Sequence, residues 1–196
     1  MKTLRILGLL ACSTLFAANA NADFLFTATM AGTNESPSNS STASGFTSVI
    51  INDALTTMTV HVEWNGLTGG LPSAGHIHCC TAVGTNIGVA VGFPGLPALA
   101  SGVYDQTFDL LSSSIYTAAF LTNFGGGTAA GARDALFAGL TAGTAYSNLH
   151  NTQFPGGEIR GLLSPAPVPL PAAAWLLVSG IGALGGGLRK RRLRSA

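Results

Sequence analysis

The residues with the most chemistry to offer stand together at Ala74-Gly75-His76-Ile77-His78-Cys79-Cys80. If this stretch is a strand, side chains alternate between its faces. His76, His78 and Cys80 then share one face, and Ile77 and Cys79 share the other. Two histidines at i and i+2 on a strand point the same way, which suits chelation of a metal ion. A third histidine from a neighbouring strand completes a candidate copper or zinc set of His76, His78 and His150. The competing reading is that these histidines hydrogen-bond within the sheet or to Glu158 and hold loops in place.

Cys79 and Cys80 have three readings. They form a disulfide between adjacent residues, they pair with another chain, or they stay reduced, buried and inert. On a regular strand the two side chains oppose each other, so a bond between them requires the strand to end by Cys79. Glu158 and Arg160 are also two apart. They are expected to share a strand face and to form a structural ion pair, with each other or with a nearby Asp. No nucleophile elbow, phosphate loop or dinucleotide fingerprint is present. No catalytic residue is assigned.

The elements that must position these residues are β-strands. Charged residues are only 9% of the 196, and 26 are glycine, a composition that suits short strands and tight turns. Apolar residues alternate over 24–30, 45–51 and 56–64, the last two reading as a hairpin about Asn52-Asp53. Further strands are expected over 88–93, 103–110, 144–151 and 158–163. Residues 112–122 are ambiguous. Residues 128–140 are the one clear helix candidate, with Thr128 as its cap. The expected fold is mainly β, an antiparallel sandwich or barrel with one short helix.

Charge is unevenly distributed. All eight acids lie between Asp23 and Leu163, where Arg133 and Arg160 are the only bases, so the middle carries −6. Such a domain would be repelled by phosphate backbones, and nucleic acid is not an expected partner. Five of the bases cluster between Arg189 and Arg194.

Both ends read as targeting signals. Residues 1–22 have a basic start, an apolar run and the small residues Ala20 and Ala22 of a signal-peptidase site, and form a signal helix. Export would leave Cys79 and Cys80 as the only cysteines, in an oxidising compartment. The domain then spans 23–164. Residues 165–196 comprise a proline-rich linker, an apolar stretch from Ala172 to Leu188 at the lower limit for a transmembrane helix, and the basic tail.

The tail resembles the PEP-CTERM sorting signal in its Val168-Pro169-Leu170-Pro171-Ala172 variant. That resemblance implies a Gram-negative exporter, transient anchorage in the inner membrane and cleavage by an exosortase-type enzyme. Gly66-Leu67, Ala74 to His78, Asn148-x-His150 and Phe154 to Gly161 together resemble the CHRD (chordin) domain. This implies an extracellular β-sandwich-like module with no generally attributed catalysis. No cofactor is expected, and exopolysaccharide or other surface proteins are the expected partners of an exported domain. Cys79-Cys80 departs from the family's plainer pattern. The Gly-His-Ile-His stretch is also similar to copper-zinc superoxide dismutases, but the second histidine cluster of those enzymes is missing. The expectation is therefore a non-enzymatic surface or matrix module. The alternative is a metal-binding or redox domain built on the three histidines.

Overall fold

A computed structural model describes residues 22–167. Residues 1–21 of the signal segment, Ala20 among them, the sorting motif Val168–Ala172 and the apolar tail lie outside the described residues. Among the described residues no helix is long and apolar enough to cross a membrane.

Alternating apolar residues dictate the strands, and their inward faces build the core. On β1 (Phe24–Ala31), Phe26, Ala28 and Met30 are buried. On β3 (Thr57–Asn65) the buried set is Met58, Val60, Val62 and Trp64. β2 (Ser44–Ile51) joins the two in register, from Phe24 opposite Ile51 to Ile51 opposite Met58. β6 (Gly102–Asp109) closes this half against β3.

The other half carries the chemistry. β4 (Ala74–His78) lies between β5 (Val89–Gly92) and β7 (Tyr146–His150). β7 pairs in turn with β8 (Ile159–Leu162), and β8 meets β1 through Ala31 and Arg160. β9 (Ser164–Ala166) adds a short pairing to β1 at Leu25–Thr27. The nine strands among the described residues form one curled, antiparallel half-barrel sheet, eight of them in the order β5-β4-β7-β8-β1-β2-β3-β6 and β9 off this path on β1.

The mainly β, antiparallel, barrel-like expectation holds, but the helix count differs. Alongside α2 (Ala129–Thr141) stands α1 (Ala118–Asn123). Six residues are too few to display a helical period, which is why 112–122 read ambiguously. Both helices start at a threonine whose side chain accepts from a backbone N–H, Thr117 from Phe120 and Thr128 from Gly131. α2 buries Ala132, Leu136 and Leu140 and packs Phe137 edge-on against Phe24 and Phe26.

β4 ends at His78, and Cys79 and Cys80 are joined by a disulfide. The bridge rests on α2, where Cys80 Sγ lies 3.4 Å from the Ala135 carbonyl oxygen. Gly139 makes this approach possible, because a Cβ there would fall 2.6 Å from Cys80 Sγ and also collide with Cys79 Sγ. Helix propensity alone would make Gly139→Ala stabilising by about 1 kcal/mol. The collision reverses the sign. The variant is expected to lose about 1–3 kcal/mol in chemical denaturation. A gain in stability would show that α2 does not clamp the bridge.

Candidate metal centre

The register of three strands assembles the site. His76 lies opposite Asn148, Asn148 opposite Arg160, Ala74 opposite His150 and His78 opposite Tyr146. Gly75, Ile77, Leu149 and Ile159 face the core. By alternation, the histidines, Asn148 and Arg160 share the other face. Three loops roof that face. Asn39 donates to the Gly157 and Glu158 carbonyls, and Asn34 donates to the Arg160 carbonyl. Asn86 donates to the Ser36 carbonyl.

His76, His78 and His150 converge. One ring nitrogen from each lies within 4.8 Å of the other two. The fourth histidine, His61, is on the opposite half of the sheet beside Asp105. His78 Nδ1 is 2.7 Å from the Ile87 carbonyl oxygen, and His150 Nδ1 is 2.9 Å from that of Pro155. A carbonyl only accepts, so in a neutral ring the proton sits on Nδ1 and the lone pair on Nε2. Metal-binding histidines are commonly oriented by this kind of backbone support. The two Nε2 atoms meet Asn148 Oδ1 at 3.1 and 3.0 Å. His76 Nδ1 is buried without a hydrogen-bond partner.

The surrounding charges are fixed. Arg160 pairs with Glu35 at 2.9 Å, not with Glu158, and both side chains are almost wholly buried. The guanidinium also donates to Asn86 Oδ1 and stacks 3.9 Å above the Tyr146 ring, whose other neighbour is the His78 ring. Burial pushes the Glu35 carboxyl above its ordinary value, and Arg160 opposes this. Glu158 sits just before β8 and takes a different role. Fully buried, it accepts from Ser41, from both the backbone and side chain of Thr68, from Gly69 and from Asn151. Burial pushes its carboxyl up, but these donors outweigh burial and hold it below the ordinary value. It ties the 39–43 and 67–69 loops to β8. It is not bonded to a histidine.

Glu35 and Asn148 carry roles that the alternation alone does not assign. Asn148 shares its face with His150 by the i, i+2 rule, a signal present in the sequence. Glu35 lies in a loop without periodicity. The only hint is charge balance, since Arg160 needs a buried acid and Glu158 is taken. Gly157, at φ +128, leaves the space that Glu35 and Asn148 Nδ2 occupy.

Fold and face together define a curled-sheet domain with a roofed, polar, histidine-bearing side. The chain belongs to the CHRD domain family, whose model matches residues 26–163. No curated protein and no solved structure matches the chain.

The rings of His76, half-buried, and His78, buried, make the domain acid-sensitive. Burial, then the neighbouring histidines, lower His76 to about 4 from an ordinary 6.5. His78 also falls to about 4, again chiefly through burial. The unfolded chain therefore takes up these protons first as pH falls. The stability from keeping the rings neutral is full above pH 6.5 and is lost down to about pH 4. The urea midpoint of the metal-free protein should fall across this window, and less so in His78→Gln. Equal slopes for the two proteins would contradict the assignment.

Proposed function

We propose that the chain is an exported, non-catalytic surface or matrix module whose histidine face binds one transition-metal ion. The convergence of His76, His78 and His150 within 4.8 Å carries the metal reading. Neutral imidazoles suit zinc and copper. Their low proton affinity keeps the lone pairs available at neutral pH. The absence of a nucleophile–base motif in the sequence argues for binding rather than covalent catalysis.

Export rests on the two terminal signals in the sequence, with signal peptidase and an exosortase-type enzyme as the processing partners. The Cys79–Cys80 disulfide fits an oxidising compartment. The position of the face also supports display. Ala166, where the linker begins, pairs with Leu25, whereas Arg160 pairs with Ala31, six residues further along β1. At roughly 3.3 Å per residue the two points are about 20 Å apart. A domain tethered through its C-terminal linker would hold the histidine face away from the tether.

Equilibrium dialysis of the purified protein against zinc and copper(II) tests the metal reading. One ion per chain is expected, with affinity lowered more than about 100-fold in the His76→Ala, His78→Ala double variant. Failure to bind either ion at micromolar concentration, or equal binding by the variant, would refute it. Mass spectrometry of the cell-surface form tests export. Loss of both terminal segments is expected, and an intact C-terminus in the membrane fraction would refute processing.

A further inference from the structure

We propose that Asn148 Oδ1 is the fourth ligand of this metal ion, so that the site is a closed tetrahedral set of three imidazole nitrogens and one amide oxygen. The proposal rests on the three-histidine reading and goes beyond it. It names a ligand, a coordination number and the groups that hold the ligand in place.

His78 and His150 each place Nδ1 against a carbonyl and Nε2 against the same Asn148 Oδ1. Both nitrogens of both rings therefore face acceptors. A neutral imidazole has one N–H, so each ring is left with a lone pair aimed at an oxygen lone pair. Charging both rings would supply the missing donors, but two cations about 6 Å apart beside Arg160, one buried and one half-buried, are opposed by repulsion and desolvation. Turning the Asn148 amide over would give both Nε2 atoms a donor. It would also set the amide oxygen against Glu35. The Asn148 amide nitrogen and Glu35 Oε1 border the same space over Gly157, and neither has a hydrogen-bond partner in the structure. A cation between the two Nε2 atoms and Oδ1 removes the conflict, with the ring nitrogens closing from within 4.8 Å of one another onto the ion.

The dimensions agree. A tetrahedral ion with bonds of about 2.0–2.1 Å separates its ligands by roughly 3.3 Å. The Oδ1···Nε2 distances of 3.1 and 3.0 Å are close to that edge. His76 sits directly opposite Asn148 in the strand register, and one of its ring nitrogens lies within 4.8 Å of those of His78 and His150. Three nitrogens and one neutral oxygen form a borderline donor set suited to zinc or copper(II). A complete tetrahedron leaves no position for an activated water, which separates this site from catalytic zinc centres with three protein ligands. Glu35 is the positioning residue. Its carboxylate borders the amide nitrogen, is itself held by Arg160, and disfavours the flipped amide that would turn the oxygen away from the metal.

Cobalt(II) is the probe, titrated into the full chain and followed by visible absorption. The wild type should give the intense bands of a four-coordinate ion and should not respond to azide. Asn148→Ala should still bind cobalt, about 10–100-fold more weakly, and its spectrum should shift when azide enters the vacated position. Glu35→Gln, which keeps the oxygen but releases its orientation, should weaken binding about 10-fold with the four-coordinate bands retained. If Asn148→Ala does not fold, Asn148→Ser carries the test, with the same weakening and azide response expected. An azide-responsive wild type, or variants matching the wild type in affinity and azide response, would overturn the fourth ligand. Failure of the wild type to bind cobalt at all would instead overturn the three-histidine reading beneath it.

Discussion

The buried pair between Glu35 and Arg160 is the contact on which the histidine face depends. Each charge alone would be strongly unfavourable beneath the loops, and removing one partner of such a pair typically costs about 3–5 kcal/mol. Together they fasten the loop after β1 to β8 and supply a fixed carboxylate beside β7. Asn148 lies between that carboxylate and the histidines, so the orientation of one amide carries the order of the ion pair into the site. Tyr146, stacked between Arg160 and His78, links the same cation to the same ring from the other side.

Glu158 plays the complementary part at the other end of the roof. Its carboxylate gathers donors from three separate segments, Ser41, Thr68–Gly69 and Asn151, onto one buried point. A single acid thus holds segments that have little apolar surface with which to pack. This division of labour accounts for the closing Gly-Glu-Ile-Arg-Gly segment. The glycine makes room, the glutamate gathers loops, the isoleucine enters the core, and the arginine anchors the polar face. The disulfide and Gly139 form a separate clamp that fixes the end of β4 to α2.

Much of this was legible in the sequence because β-structure writes its faces with period two. The alternation in 56–64 marks β3, and the same rule places His76 with His78 and Asn148 with His150. It also names Ile77 as a core residue. Pairing between distant strands has no such local signal. That β7 lies between β4 and β8, bringing Asn148 beside both His76 and Arg160, follows from packing of the whole sheet. Arg160 was expected to pair with Glu158 or an Asp because those acids are near in sequence or number. Glu35 lies 125 positions away in a loop whose composition announces only a turn-rich connection. α1 escaped notice because its six residues are fixed by the Thr117 cap and by packing rather than by a periodic stripe.

The central claim is that three histidines and the amide between them form one metal centre. X-ray absorption at the metal edge of the zinc-loaded protein addresses this directly. The account predicts four nitrogen or oxygen neighbours at about 2.0–2.1 Å, with outer-shell scattering from three imidazole rings. Scattering from one ring or none, or a first shell containing sulfur, would contradict it.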